Sequence, residues 1–562
     1  MSRKFKRNKY IDSLFSLYLL LIVCLCICSC TSENNIVDSS NGKLLNFSVS
    51  VPEWKNNDTT SNSKTRATPI SESSFNEASS FNIIADVYDG KSSYNTIIKD
   101  ETVSYTNNMW KTVSPHYWPG TTNNTLNFYA YYPTNISSSI THTAGSVPIL
   151  SYTVPDDATN QIDIMTATGT NVSGNTNSST PLSFSHIFAA VKFSVGTSGL
   201  PSGTVKSITI SGINNSGTYT FGNGWTLGSS TSTFTVSPSA VITGAAGANI
   251  TSDAFTMMMI PQTFSNATVT LVYSNGTTFS TTISGTWNAG GVHTYNLSKR
   301  VNIGDYYFSD GTWGTLSEHK NSTAKPIAII FNNSTSSIDS GHGWIHGYAI
   351  ALKDAYEGTL DWSSSIYANT LEMGRTYTDI NSVENDLEGY THTNKIIAKS
   401  TNLSNDYPTF YYAYNYKNTV TPPINSSGWF LASIGQYHLF SINICKISTS
   451  TYYLSSNFVS TGWAWSRNDG GTFNSSFLAR DNFNSYLTTA ANAGASVDKV
   501  LCGTSDYPTW VDSWYNSSSE YSATNPYFLL FGAGGDLMYD HRRTKNNTTD
   551  NLRVCIRPII AF

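Results

Sequence analysis

The sequence predicts a mainly β protein made of β-sandwiches and ending in an α+β domain. Charged residues are only 12% of the 562 residues, about half of the ~25% that is usual for soluble domains. Aromatic residues reach 13%, and with abundant Ser, Thr and Asn they favour pleated, half-buried strands joined by turns. The net charge of −5 gives no electrostatic basis for binding nucleic acid.

The first predicted strand lies near the N-terminus. Leu45, Phe47, Val49 and Val51 alternate with polar residues, and a period of two predicts a strand with one buried face. The polar residues that follow are expected to form an exposed linker. We therefore predict a tether, a first strand and a linker over residues 30–69.

Two β-sandwiches are predicted next, over residues 70–180 and 181–298. In the second, Asn275-Gly276 separates two alternating runs, and Asn-Gly in this position is the strongest short-range signal for a hairpin. Strands of the two sandwiches are predicted around 81–87, 126–132, 182–195, 208–211, 269–273 and 279–283.

The composition changes near Lys299. The remaining residues have shorter strand patterns, longer Gly-rich loops and two stretches of helical propensity, at 351–355 and 481–495. These features predict a separate α+β domain over residues 299–562.

The N-terminus predicts export. Five basic residues within positions 3–9 precede an apolar run over 14–27, which is too short for a membrane-spanning helix. Ser29 stands just before Cys30, and a polar tract follows. The segment resembles a bacterial lipoprotein signal, which implies a signal peptide over residues 1–29 and a lipid on the Cys30 thiol. The protein is then expected to be tethered by this lipid at the outer membrane.

Three cysteines remain after the signal and Cys30: Cys445, Cys502 and Cys555. Because at most one disulfide can join three cysteines, the protein is not expected to be a disulfide scaffold. Their spacing also lacks a zinc-site pattern.

Four sets of motifs stand in order along the first half of the chain. They are Trp110-x7-Trp118-Pro119 with Leu126-x-Phe128-Tyr129-Ala130-Tyr131-Tyr132-Pro133, Gln161-Ile162-Asp163-Ile164-Met165-x-Ala167, Leu182-x-Phe184-x-His186-x2-Ala189-x-Val191-x-Phe193, and Trp287-Asn288-Ala289-Gly290-Gly291-x2-Thr294-Tyr295. Together they resemble the fimbrillin family of Bacteroidetes-type surface lipoproteins, over about residues 40–298.

The fimbrillin resemblance implies two tandem transthyretin-like sandwiches and an adhesive pilus subunit. In that family the first strand is held until a trypsin-like protease cuts after an Arg in the linker behind it. The terminal strand of the next subunit then fills the vacated groove. Arg66 and Ala67 stand where this cut is expected, and Leu45 to Val51 would be the strand that is lost. The alternative is that Arg66 is an ordinary exposed residue and the strand a permanent edge.

The last domain resembles a different family, the Fibrobacter-type major paralogous domain, whose fold is similar to the C-type-lectin and formylglycine-enzyme group. Its motifs are Val301-x-Ile303-Gly304-Asp305-Tyr306-Tyr307-Phe308-Ser309-Asp310-Gly311-Thr312-Trp313, Gly347 to Ala355, Gly428 to Ser433, Ser517 to Asn525 and Arg553-Val554-x2-Arg557-Pro558-Ile559-x-Ala561-Phe562. Ala432-Ser433 departs from the Pro-Ser that the family often has. Because this domain follows the terminal strand, we expect the subunit to accept a donor strand but not to give one, which favours the fibre tip.

Candidate ligand contacts in this head are tryptophans, since aromatic faces stack on pyranose rings. We single out Trp344, Trp362, Trp463 and Trp465, with the alternative that most of them fill the core. His342 and His346 stand four apart, but neighbouring glycines argue against the helix that a zinc pair requires. Neither a metal nor a cofactor is expected.

Three functions are open at this point. The first is a lipid-anchored fimbrial subunit, placed at the tip, whose partners are other pilin subunits, a trypsin-like protease and a host or bacterial surface ligand such as a glycan. The second is a monomeric surface glycan-binding lipoprotein. The third is a glycan-active enzyme, which is disfavoured because no nucleophile, metal or phosphate-loop motif is present, and no catalytic residue is assigned.

Overall fold

The structure is a computed structural model. It describes residues 37–38, 42–51, 53–54, 75–77, 79–119, 124–173, 179–374, 377, 379–447, 452–454, 464–466, 475–502, 512–532, 537–546 and 553–562. Strands predominate within these ranges, so the prediction of a mainly β protein is confirmed.

Thirteen strands precede residue 196 within the described ranges. They are β1 (Val37–Asp38), β2 (Gly42–Lys43), β3 (Phe47–Ser50), β4 (Ser80–Tyr88), β5 (Tyr94–Thr106), β6 (Met109–Thr112), β7 (Thr125–Tyr132), β8 (Ile140–Thr141), β9 (Ile149–Thr153), β10 (Met165–Val172), β11 (Thr180–Ser183), β12 (Ser185–His186) and β13 (Ala189–Val195). Short 3₁₀ helices lie at Thr134–Ser139 and Ala158–Asn160.

Eight of these strands form one sheet in the order β11-β3-β6-β5-β4-β7-β10-β12. Neighbouring strands are antiparallel except β3 and β11, which are parallel. Only Phe184 separates β11 from β12, so the two ends of the sheet meet in the chain. One face buries an apolar core that includes Phe81, Ile83, Phe128 and Leu182.

The second set of strands runs to Leu297. It comprises β14 (Gly203–Asn214), β15 (Ser216–Thr220), β16 (Gly224–Leu227), β17 (Thr231–Val236), β18 (Ala240–Ile242), β19 (Met257–Met259), β20 (Thr263–Tyr273), β21 (Thr278–Thr286) and β22 (Val292–Leu297). One sheet has the order β17-β14-β20-β21, with β18 beside β14, and another has the order β19-β13-β22.

The hairpin predicted at Asn275-Gly276 is confirmed, because β20 and β21 pair antiparallel around it. Gly276 adopts a φ of +89°, which a residue without Cβ reaches at low cost. A further sheet, β16-β15-β9-β8, joins strands from both sides of residue 180. The domain bounds at 180 and 298 stay predictions.

The last part combines two sheets with helices. Its strands are β23 (Tyr306–Phe308), β24 (Trp313–Gly314), β25 (Pro326–Asn332), β26 (Tyr348–Ala351), β27 (Tyr356–Gly358), β28 (Tyr452–Leu454), β29 (Ala464–Ser466), β30 (Ser513–Glu520), β31 (Pro526–Phe531), β32 (Leu537–Asp540), β33 (Arg553–Ile556) and β34 (Ile559–Ala561). The sheets run β24-β23-β25-β26-β34 and β27-β33-β30-β31-β32-β29-β28. The lectin-like arrangement stays a prediction.

Among the described residues of this part, the helices are α1 (Ser337–Gly341), α2 (Ile380–Glu384), α3 (Gly389–Lys399), α4 (Leu403–Asp406), α5 (Pro408–Asn415), α6 (Ile434–Asn443) and α7 (Ser475–Asn492), with a 3₁₀ turn at Tyr416–Asn418. Helix α7 covers most of the stretch predicted at 481–495. The helical propensity at 351–355 does not produce a helix: Ala351 ends β26 opposite Ala328, and the Leu352 amide donates to the Ile327 carbonyl at 3.2 Å. Pairing inside a buried sheet outweighs a weak local propensity there.

Candidate functional site

Strand β3 is paired on both of its edges. It runs parallel to β11 over four positions and pairs with β6 at Phe47. Just before it, the Leu45 amide donates to the His116 carbonyl at 2.7 Å. The amides of Thr180 and Phe184, in turn, donate to carbonyls of the β3 segment at 2.9 and 2.8 Å. The strand therefore lies within the sheet rather than at its edge.

The side chains of this segment alternate as the sequence predicts. Leu45, Phe47 and Val51 are buried, and Val49 packs half-buried against the same core. The Phe47 ring meets the Phe128 ring edge-on, with centroids 5.6 Å apart. Full burial of one such side chain contributes about 1.5–3 kcal/mol. Loss of the segment would leave an apolar slot as well as unpaired backbone groups on two strands.

Several residues assigned from the sequence lie outside the described residues. These are Cys30, where lipidation is predicted, Arg66 and Ala67, where processing is predicted, and the candidate ligand contact Trp463. The backbone of Trp465 belongs to β29, but its side chain is outside the described part of the chain.

Strand β22, which carries the end of the fourth motif, is fixed at both ends. It runs parallel to β13, from the pair Ala190 and Val292 to the pair Val195 and Leu297. Directly after it, the Lys299 amide donates to the Gly199 carbonyl at 3.0 Å.

The chain then enters the last domain through a closely packed connection. Lys299 is only 4% exposed, and its ammonium group donates to the Glu318 carboxylate at 2.7 Å. The Glu318 carbonyl accepts from the Thr278 amide at 3.1 Å. Nearby, the Asn275 carbonyl accepts from the Thr323 amide at 3.1 Å. We call this set of contacts, around Lys299, Glu318 and Asn275, the neck.

An aromatic cluster is accessible on the last domain. It is formed by His342, Trp344 and Tyr390, and we call it the head cluster. The His342 ring stacks on Trp344 with centroids 4.8 Å apart, and the Tyr390 ring meets Trp344 edge-on at 4.7 Å. Trp344 and Tyr390 are half-buried and His342 is exposed. The adjacent Ile345 is 55% exposed. The cluster therefore offers a partly apolar surface to solvent.

Trp362 has a different environment from Trp344. It is 1% exposed, its indole N–H donates to the Ser517 carbonyl at 2.8 Å, and its ring meets Phe410 edge-on at 4.9 Å. A side chain placed in this way packs the interior and does not meet a ligand from solvent. Of the two candidate tryptophans that can be compared, Trp344 alone reaches the surface.

The two histidines of the 342–346 stretch have separate partners. His342 stacks on Trp344, whereas His346 lies against Trp313 with ring centroids 4.5 Å apart. Burial lowers the pKa of His346 from its usual value, because desolvation disfavours the charged ring. Across the described ranges, no three His, Cys, Asp or Glu side chains come together as a metal site would require.

Cys445, Cys502 and Cys555 are buried. Burial raises the pKa of Cys445 well above its usual value, since the thiolate is poorly solvated there. Such a thiol is a packing residue rather than a reactive one.

Sequence reasoning missed one contact of the N-terminal segment. Trp54, which follows the first strand, stacks on the buried His186, which pairs with Asp163. The available signal was a single Trp placed before a polar linker, together with His186 and Asp163 in the quoted motifs. Nothing in the sequence connected these residues to one another.

Comparison with known proteins gives one family match and several similar solved structures. Residues 65–305 match the fimbrillin-like family model. A solved fimbrial protein from Bacteroides ovatus is similar at 15% identity and a TM-score of 0.32, over 93% of this chain and 99% of that one. A fimbrial protein from Bacteroides vulgatus has 15% identity and a TM-score of 0.32, over 45% of this chain and 94% of that one. No curated protein matches the chain.

Identity and TM-score are low for both solved structures, so the similarity that counts is the family match over residues 65–305. Among the helices of the described ranges, none has the length and apolar character that crossing a membrane requires. The segment from 65 to 305, which holds the motifs that resemble fimbrillins, is similar to the fimbrillin-like family.

Proposed function

We propose that this chain is a cell-surface fimbrial adhesion subunit that assembles by strand exchange after proteolysis at Arg66. The single observation that carries the proposal is the position of β3. It is paired on both edges and buries alternate side chains, yet it belongs to a segment that a cut after Arg66 would release. The match of residues 65–305 to the fimbrillin-like model supports the same reading.

The physical basis of exchange is the groove that β3 fills. Without it, β6 and β11 would each expose unpaired N–H and C=O groups, which are a template for another strand. An incoming strand pairs with these groups and places alternate side chains in the pockets of Leu45, Phe47 and Val51. Assembly therefore replaces one strand with another of similar chemistry.

The neck supports a position at the fibre tip. Strand β22 continues into a domain that is held by Lys299 and Glu318, so its C-terminal end is not free. A subunit of this kind can accept a strand in the β3 groove but has none to donate at that end. Residues 299–562 would then form an outward binding head.

The head cluster is the proposed ligand contact. Half-buried aromatic rings with an apolar neighbour suit the apolar face of a pyranose, and glycans are the ligand class that we favour. The lipid on Cys30 would hold the precursor at the outer membrane until a trypsin-like protease cuts the linker.

The mature N-terminus on intact cells tests the assembly proposal. Sequencing should give Ala67 as the first residue of the surface form. The Arg66→Gln protein should not show that N-terminus and should keep the β3 segment. Lys64→Gln is the matched control, since it removes a basic residue of the same linker. An Arg66→Gln protein that still begins at Ala67 and still assembles would contradict the proposal.

A monomeric glycan-binding lipoprotein is the second candidate. The observation that favours it is the full integration of β3, which is also what a permanent strand would show. In that case the surface form would keep a lipid-modified Cys30 as its first residue, and it would remain a monomer after treatment with protease.

Glycan binding can be tested on the full chain. Trp344→Ala and Tyr390→Ala should each lower retention on a glycan array by about tenfold or more, because each removes a stacking surface. Ile366→Ala is a suitable control, since Ile366 is 78% exposed and is not part of the head cluster. Equal retention of all variants would remove the head cluster as the ligand site.

A further inference from the structure

The N-terminal segment is anchored in two cores and not in one. Leu45, Phe47 and Val51 belong to the core of the eight-stranded sheet. Trp54, three residues further on, belongs instead to the core that extends through the second set of strands and includes Ile187 and Phe188. Its side chain is buried, with 9% exposed. The segment that a cut after Arg66 would release therefore also closes a part of the second core.

The ring of Trp54 covers a buried polar pair. It stacks on the imidazole of His186 with centroids 4.2 Å apart and an interplanar angle of 27°. The Nδ1 atom of His186 lies 3.0 Å from a carboxylate oxygen of Asp163, and both side chains are 1% exposed. Gly290 lies beside His186 on another side: a Cβ atom built on Gly290 would be in van der Waals contact with the His186 Cβ, at 3.9 Å. We call this site the Trp54 pocket.

The register of the sheet explains why Trp54 arrives there. Strand β3 pairs parallel with β11, ending with Ser50 opposite Ser183, and the Phe184 amide then donates to the Ser50 carbonyl at 2.8 Å. Beyond this point the segments that follow β3 and β11 continue in the same direction. The parallel alignment therefore carries Trp54 toward His186, in β12. An antiparallel strand would leave the groove at the opposite end.

We propose that the Trp54 pocket is a second anchoring subsite of the groove, and that an exchanged strand must place an aromatic ring in it. This rests on the proposed strand exchange and specifies its partner. The partner is a strand that runs parallel to β11 and carries an aromatic residue three positions after its last groove-filling side chain. A strand without that ring would leave His186 and Asp163 uncovered.

The pocket favours an aromatic ring that lacks a hydrogen-bond donor over an indole. The Trp54 Nε1–H is buried, and within the described part of the chain it has no hydrogen-bond partner. A buried donor without a partner opposes binding. A phenyl ring keeps the stack and removes this donor, so a partner strand with Phe is expected to bind at least as well as one with Trp.

The test uses the full chain, cut in the linker and freed of its N-terminal segment, with labelled synthetic peptides of residues 42–54. We expect Trp54→Ala to weaken peptide binding by about 30-fold, from lost burial and stacking, and Trp54→Phe to bind as tightly as the native peptide or more tightly. Ser48→Ala is the matched control because Ser48 is exposed. Phe47→Ala reports on the first core.

The outcomes separate the two proposals. If Trp54→Ala binds as tightly as the native peptide while Phe47→Ala is weakened, the second subsite is refuted and strand exchange stands. If no peptide rebinds, including the native one, strand exchange fails and with it the requirement on a partner strand.

The pocket itself is also testable in the uncut chain. Diethyl pyrocarbonate should modify the exposed His342 and spare His186, and Trp54→Ala should raise modification of His186 by at least tenfold. Modification of His186 at the rate of His342 in the native chain would show that Trp54 does not cover it. The peptide experiment leaves the folded body unchanged, so it remains decisive if Trp54→Ala destabilises the chain.

Discussion

Truncating Phe47 to alanine should loosen β3 in the uncut protein. Phe47 is 3% exposed, and its ring contacts Phe128. Replacing a buried Phe by Ala costs about 3–5 kcal/mol from lost burial and the cavity that remains. We take about 3 kcal/mol, the lower end, because the neighbouring Val49 is only half-buried and can shift toward the vacated space.

Amide hydrogen exchange measures this change locally. The amides of Thr180 and Phe184 donate to carbonyls of the β3 segment, so they exchange when the strand leaves. A loss of about 3 kcal/mol corresponds to roughly 150-fold faster exchange through this opening. Ser48→Ala, at an exposed position of the same strand, should change the rate less than threefold. Acceleration below tenfold in Phe47→Ala, or an equal effect of Ser48→Ala, would refute the reasoning.

Three further outcomes are expected in the last domain and at the neck. Lys299→Met should lower the free energy of unfolding by about 1–2 kcal/mol, since it removes a charged hydrogen bond to the half-exposed Glu318, and should hasten limited proteolysis at the neck. Lys545→Met should cost about 3–5 kcal/mol in urea unfolding because it leaves the buried Glu520 carboxylate without its ion-pair partner; adding Glu520→Gln should recover part of this loss. The pKa of His346 is lowered by burial. Just below pH 6.5, the unfolded state therefore binds more protons at this residue than the folded state does. The free energy of unfolding should fall as the pH falls through this window. His346→Asn should flatten that dependence in urea titrations at about pH 7.5 and about pH 5.

Local patterns predicted the features that depend on near neighbours in sequence. The alternation at Leu45 to Val51 and the Asn275-Gly276 turn follow from strand periodicity and from backbone preference. Helix α7 follows in part from helical propensity. These features are set by residues that lie close together in the chain.

Long-range contacts could not be read in the same way. Trp54 meets His186 only because β3 and β11 are parallel, and the pairing of β9 with β15 likewise joins distant residues. Trp344 and Trp362 are both single tryptophans, and neither lies in an alternating apolar pattern that would predict its burial. What distinguishes them is the Ser517 carbonyl that the fold brings to Trp362, and no spacing rule reports that contact.

The neck determines how the molecule would carry tension. The chain passes from β22 to β23 through residues 298–305 only, and β22 is aligned with β13 over six positions. A pull on the last domain along the direction of β22 would load these backbone bonds together, in shear, instead of opening them one after another. If the subunit stands at the fibre tip as proposed, the same alignment would keep β22 from a neighbouring subunit and would make the attachment of the last domain resistant to the pull of flow on a bound cell.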